Sequence, residues 1–438
     1  MPFAIPRSPA RWLTRLGLAV LMGTLATGVW LAMPSAPVPV AAPATPMGSS
    51  AATIERGRYL ATLGNCQGCH TAAGQAAYSG GTAIHTPFGT VYGPNLTPST
   101  AGLGGWSADD FWRALHWGQR PDGQWLSPAF PYTNTTHINR ADSDALFAYL
   151  QSLPPDDTPN RASELRWPYN TQAALKAWRA LYFRPSAAPA STATDTTPLE
   201  RGRYLVQGLG HCSACHAPRS RWGGAPDALA LSGGLLPNGW YAPSLLDPAE
   251  AGMQGWALED AVRLLSEGRH GVHSVQGPMA EVVSDSLRHW TPDDTVAMAR
   301  YLQSLPTTAA VHNTHRTDAA TSVNSAAGVR LYEAHCASCH GAQGQGLTLN
   351  NGQMAYPPLA GHRAVQMESA ANLLQVVLEG GFGLATPAHP RPFGMPPFQL
   401  QLSDSDLAHL LTHIRTAWGN RGSAVSELDV HRMRQSAR

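Results

Sequence analysis

The sequence predicts a mostly α-helical chain: three tandem copies of one small helical unit with long loops, preceded by an apolar N-terminal helix. Three observations carry this. The pattern Cys-x-x-Cys-His occurs three times, as Cys66-Gln67-Gly68-Cys69-His70, Cys212-Ser213-Ala214-Cys215-His216 and Cys336-Ala337-Ser338-Cys339-His340, and uses all 6 cysteines of the 438-residue chain. Ahead of the first two copies, Glu55-Arg56-Gly57-Arg58-Tyr59-Leu60 recurs as Glu200-Arg201-Gly202-Arg203-Tyr204-Leu205. Behind the same two, Tyr149-Leu150-Gln151-Ser152-Leu153-Pro154 recurs as Tyr301-Leu302-Gln303-Ser304-Leu305-Pro306. Internal repetition on this scale means a module copied along the chain.

Taken in order, the N-terminus reads as a targeting element. Arg7, Arg11 and Arg15 precede an uncharged apolar stretch over 16–33. As a helix it spans about 27 Å, just short of a bilayer's hydrocarbon core. Positive charge before it predicts a cytoplasmic amino terminus, with everything after the stretch outside. We read it as a retained anchor, with a cleaved signal peptide as the competing reading. The Pro/Ala-rich remainder of 1–52 is a tether. The repeats then divide the chain into units at 53–157, 198–308 and 326–420, with a connecting segment at 158–197, a linker at 309–325 and a tail at 421–438. Each unit opens with a helix, carries the cysteine motif, runs through a long loop and closes with a helix. The third opens with Gly328-Val329-Arg330-Leu331-Tyr332 and closes near 404–418. Cap signals mark the closing helices: Asp142, Thr291-Pro292 and Ser403.

Cys-x-x-Cys-His is the attachment signature of c-type haem. Each thiol adds to a vinyl group as a thioether, and the helical turn sets the histidine under the iron. Three disulfides or zinc sites are the bland alternatives. Neither explains a histidine directly after the second cysteine in every copy. Cys66, Cys69, Cys212, Cys215, Cys336 and Cys339 are therefore read as attachment points for three haem c groups, with His70, His216 and His340 as proximal ligands. The layout of each unit is that of the class I cytochrome c fold. No Gly-rich nucleotide loop and no nucleophile motif appears, so the chain reads as an electron carrier without substrate chemistry of its own. A formal charge of +1 speaks against a nucleic-acid partner.

Distal ligands come from the loop before each closing helix. In the third unit Met395 sits in Phe393-Gly394-Met395-Pro396-Pro397-Phe398, where proline stiffens the presenting loop. In the second, Met279 follows Gly277-Pro278, whereas Met298 falls inside the closing helix and reads as core. The first unit holds no methionine. Its histidines are His85, His116 and His137; His137 lies on the loop before the closing helix and is the candidate, with an open or water-ligated iron as the alternative. Histidine in place of methionine lowers a haem's potential, so this ligand set sends electrons from the first haem toward a Met-ligated one. An open first iron would suit the rival function, a haem enzyme or gas-binding cytochrome.

Thr86-Pro87-Phe88-Gly89-Thr90, Pro94-Asn95-Leu96-Thr97-Pro98, Trp106 with Asp110-Phe111-Trp112, Met279-Ala280-Glu281-Val282-Val283 and Tyr356-Pro357-Pro358-Leu359-Ala360-Gly361 carry a resemblance. The chain resembles the three-haem cytochrome c subunits of bacterial membrane-bound dehydrogenases acting on alcohols, aldehydes, gluconate or sorbitol. The resemblance implies that a separate catalytic subunit oxidises the substrate, with room for a small third subunit. This subunit then relays electrons to ubiquinone at the periplasmic face of the cytoplasmic membrane. Many relatives have methionine where this chain has Phe130. The Phe-Pro-Tyr version looks closer to partners of molybdenum-containing dehydrogenases, and leaves molybdenum, pyrroloquinoline quinone and flavin partners open. Trp167-Pro168-Tyr169-Asn170 and 178–183 resemble the family's segment after the first unit, an amphipathic stretch for interdomain packing or for a docking face.

Overall fold

The computed structural model describes residues 50–187, 197–308, 326–350, 354–386 and 392–436, with scattered residues between 16 and 40. The expected apolar N-terminal helix and the linker at 309–325 lie largely outside the described residues. Among those residues no helix is long and apolar enough to cross a membrane.

The first unit runs α1 (Ala51–Leu63), α2 (Cys66–His70), α3 (Ala108–Trp117), α4 (Tyr132–Thr135) and α5 (Arg140–Gln151). Its long loop is partly a sheet: β1 (Ala83–Thr86) pairs with β2 (Gly89–Tyr92), and β2 with β3 (Glu164–Leu165), all antiparallel. The connecting segment then forms α6 (Gln172–Tyr182). The second unit has α7 (Pro198–Tyr204), α8 (Ser213–His216), α9 (Leu258–Glu267), α10 (Pro278–Asp285) and α11 (Pro292–Ser304). The third has α12 (Ala326–His335), α13 (Ala337–His340), α14 (Arg363–Gln366), α15 (Ala371–Glu379), α16 (Asp404–Thr416) and α17 (Glu427–Ser436).

In each unit the opening helix crosses the closing helix at a glycine. A Cβ on Gly57 would lie 1.9 Å from the Ala145 carbonyl oxygen, and one on Gly202 2.0 Å from that of Ala297. At Gly328 the nearest atom is the His409 oxygen, at 2.6 Å. The repeat at Gly202 has one more residue before its motif cysteine than the repeat at Gly57. That residue is absorbed as a π-helical turn, Leu205–Leu209, continuing α7.

The repeated hexapeptide also joins the first two units. Arg56 and Arg201 each bind an aspartate on their own closing helix, Asp142 and Asp294. Tyr59 and Tyr204 do the opposite and cross over. The Tyr59 hydroxyl donates to Asp294 at 2.8 Å and accepts from the Thr291 N–H; the Tyr204 hydroxyl donates to Asp142 at 2.6 Å and accepts from the Asn139 N–H. Asn139 and Thr291 are the N-caps of α5 and α11. Each tyrosine thus completes the helix start of the other unit, the reciprocity of an isologous interface inside one chain. The third unit has Ala327 and Arg330 at the places of Arg56 and Tyr59, so it cannot join in this way. It docks on the second unit instead, through Asn372, which exchanges two hydrogen bonds with the Tyr241 backbone, and through Gln375, which donates to the Asn238 carbonyl.

One expectation needs correcting. Asp142 is not the cap of α5: Asn139 caps it, and Asp142 stands three residues in, held by Arg56 and Tyr204. The tail carries α17, which buries Val430 against the third unit and pairs Arg434 with Asp404. Removing both bridging hydroxyls, in Tyr59→Phe with Tyr204→Phe, is expected to cost about 3–5 kcal/mol, since hydrogen bonds to charged groups are worth roughly 1.5–3 kcal/mol each. Denaturation of the double and single variants checks this. A double variant no less stable than wild type would show that the crossover carries no energy.

Candidate haem-attachment sites

The three cysteine motifs fold alike because each is one helical turn ending in a histidine. In the second and third, the histidine N–H donates to the first cysteine's carbonyl, at 2.9 Å in both. The turn brings the two thiols and the imidazole to one side of the backbone, and all six thiols are free of one another. Among the described residues no group of three or more histidine, cysteine and carboxylate side chains is arranged to hold a metal ion.

The decisive geometry is on the histidines. His70 Nδ1 lies 2.7 Å from the Pro94 carbonyl oxygen, His216 Nδ1 2.6 Å from that of Pro243, and His340 Nδ1 2.9 Å from that of Pro357. A carbonyl only accepts, so Nδ1 carries the proton and Nε2 keeps its lone pair for iron. Burial holds all three imidazoles below the ordinary histidine pKa, against the opposing pull of the proline carbonyls. They are therefore neutral at pH 7, as a metal ligand must be. Burial also pushes the Cys66 and Cys212 thiols up to about 12 and Cys336 to about 11.

The proline carbonyls were missed from sequence, though a signal was there. Each stands two residues before a leucine, in Pro94-Asn95-Leu96, Pro243-Ser244-Leu245 and Pro357-Pro358-Leu359. Leu96 and Leu245 pack against one core and Leu359 against the other, which anchors the carbonyl.

The distal candidates are placed as follows. Met279 is partly buried against the core shared by the first two units, but it sits in the first turn of α10 rather than on a free loop. Met395 is partly buried against the third unit's core, on a two-residue strand paired with Gly381–Phe382. Met298 is buried, as a core residue in the closing helix. In the first unit Phe130 packs against the shared core. The His137 backbone and Cβ stand against Gly208 of the second unit. His85 is exposed on β1, with Nδ1 3.3 Å from the Thr90 hydroxyl oxygen.

His116 is buried and stacks on Trp112, with ring centroids 4.6 Å apart, and burial lowers its pKa to about 4. An unfolded chain takes up this proton near pH 6.5, the folded one only near pH 4. Stability from this group is therefore complete above pH 6.5 and is lost as pH falls toward 4, in all roughly 3 kcal/mol. In His116→Gln the stability-pH curve should flatten between pH 6.5 and 4. An unchanged slope would place the acid sensitivity elsewhere.

Repeated motif turns, oriented imidazoles and paired free thiols define the class: a protein built to carry covalently attached haem. Comparison with known proteins agrees. The cytochrome c family model matches residues 54–154 and 325–418. The alcohol dehydrogenase (quinone) cytochrome c subunit of Gluconobacter oxydans is 35% identical over 87% of this chain and 82% of its own length. The gluconate 2-dehydrogenase cytochrome c subunit of Pantoea cypripedii is 34% identical over 88% of this chain and 90% of its own. The fructose dehydrogenase cytochrome subunit of Gluconobacter japonicus is 30% identical over 89% of this chain and 84% of its own. The chain belongs to the family of cytochrome c subunits of bacterial dehydrogenases.

Proposed function

We propose that this chain is the electron-transfer subunit of a dehydrogenase complex at the periplasmic face of the cytoplasmic membrane. It takes electrons from a separate catalytic subunit and delivers them to ubiquinone. Three cytochrome c domains each bind one haem c, which supplies the one-electron iron couple when attached. Cys66 and Cys69, Cys212 and Cys215, and Cys336 and Cys339 form the thioethers. His70, His216 and His340 are the proximal ligands. Met279 and Met395 are the distal ligands of the second and third sites, and His137 is the candidate at the first.

The observation that carries the reading is the threefold His Nδ1–Pro carbonyl bond, which readies three imidazoles for iron beside three pairs of free thiols. The relatives favour electron transfer over gas binding, since those named above are cytochrome subunits of dehydrogenases. The order of the units supports a linear path, because the second is bonded to both the first and the third.

Native purification from membranes tests the proposal. The expected result is a chain carrying the mass of three haems, co-purifying with a large catalytic subunit whose substrate reduces all three irons. A chain of unmodified mass would overturn it. So would reduced protein binding carbon monoxide stoichiometrically at neutral pH, in favour of the gas-binding reading.

A further inference from the structure

We propose that the connecting segment and the loop after the second cysteine motif form one basic, aromatic face that docks on an anionic bilayer surface. The inference rests on the membrane setting proposed above and adds which face meets the lipid. Trp167, Leu181 and Trp222 are 80%, 66% and 46% exposed, a large apolar outlay for surface residues.

Contacts make the face continuous. Trp167 adjoins Tyr169 through Pro168, and the Tyr169 ring lies 4.4 Å from that of Phe88. Phe88 packs against Gly223, next to Trp222, whose carbonyl accepts from the Trp178 indole at 3.1 Å. Trp178 and Leu181 are on α6. The ridge therefore runs from the start of the connecting segment, across the second unit's loop, to the end of α6.

Charge favours lipid over a neutral partner. From 165 to 194 and from 201 to 226 the sequence has no aspartate or glutamate, while Arg166, Arg184, Arg219 and Arg221 are exposed. Among the described residues none of these four pairs with a carboxylate. Arg166, Arg184 and Arg219 donate to main-chain carbonyls, and Arg221 lies over the Trp222 ring. Some arginines outside this face do pair with carboxylates, as at Asp142, Asp144 and Asp294. Tryptophan beside unneutralised arginine is the composition of an interfacial anchor on anionic lipid.

The chain's own end points the same way. The Lys176 ammonium on α6 donates to the Met33 carbonyl at 2.5 Å, so the last residue of the apolar stretch 16–33 meets the chain at this face. An anchor inserted there lays the ridge on the headgroups. It also brings the second cysteine motif toward the lipid, because Arg219 follows His216 by three residues.

Amide hydrogen exchange of the full-length holoprotein tests this, in detergent and in nanodiscs of phosphatidylcholine with and without phosphatidylglycerol. Exchange over 165–185 and 218–223 is expected to slow severalfold in nanodiscs, most with phosphatidylglycerol, and to stay unchanged over 426–436 on the third unit. Arg166→Glu with Arg221→Glu should return it to the detergent rate, with the haem spectrum intact. Equal exchange in detergent and nanodiscs would overturn the proposal. So would protection in detergent only on adding the catalytic subunit, which would make the face a protein interface. Haem content from the same samples separates failure here from failure of the electron-carrier reading.

Discussion

Cys212→Ala with Cys215→Ala is expected to lower the attached mass by one haem and to slow quinone reduction by orders of magnitude, although two haem sites remain intact. The reason is position. The first and second units exchange Tyr59 and Tyr204, and the third is tied to the second through Asn372 and Gln375. The second site stands between its neighbours, and without it they are separated by a whole domain. Loss of haem also empties part of that unit's core, so a slow variant alone does not distinguish a broken path from a misfolded one. Met279→His separates the two. It keeps both thioethers and the His216–Pro243 bond, and changes only the proposed distal ligand. Its expected signature is a lowered midpoint potential for one haem of three, because methionine ligation raises the potential relative to histidine. Quinone reduction should slow while the attached mass stays whole. A double cysteine variant that still reduces quinone at the wild-type rate would remove the second site from the path.

What was legible in the sequence follows from the range of the interactions. Covalent attachment needs cysteine and histidine at fixed local spacing, so all three motifs could be read directly. The closing helices were legible from apolar spacing, and their caps from Thr291 and Ser403, because capping acts within one turn. Asp142 misled because it is an acidic residue at a helix start whose carboxylate serves Arg56 and Tyr204, far away in sequence. The hairpin Ala83–Tyr92 was read only as loop. Its pairing is completed by Glu164–Leu165, which approaches so closely that a Cβ on Gly89 would lie 2.2 Å from the Glu164 oxygen. Tyr59 and Tyr204 were visible as repeats, but nothing local says that a repeated tyrosine contacts the other copy. The distal candidates were the least legible. A methionine that fills a core and one that awaits iron have the same chemistry, and Met279 lies in a helical turn where a loop was expected.

Gly57→Ala and Gly202→Ala provide the sharpest test of the helix crossing, because the local expectation has the opposite sign. Within a helix, alanine is favoured over glycine by about 1 kcal/mol, so an exposed position would gain stability. Here the new methyl would stand 1.9 Å from the Ala145 oxygen in one unit and 2.0 Å from the Ala297 oxygen in the other, with Tyr149 and Tyr301 Cβ atoms at 2.7 Å. Those neighbours are backbone atoms and Cβ atoms, which no rotamer change can move aside. Relief requires the opening and closing helices to part, which would strain the Arg56–Asp142 and Arg201–Asp294 pairs on the same helices. Overpacking of this kind costs about 1–3 kcal/mol and more where the backbone must shift, so a net loss of roughly 2–3 kcal/mol is expected at either position. At Gly328 the nearest oxygen is 2.6 Å away and the second contact is the His413 Cβ at 2.9 Å, so the helices need to part less. Gly328→Ala should therefore cost about 1 kcal/mol after its gain in helix propensity. Denaturation of the three holoproteins gives the order directly. Equal losses at all three positions, or a gain at Gly57, would mean that the opening helices do not cross on glycine.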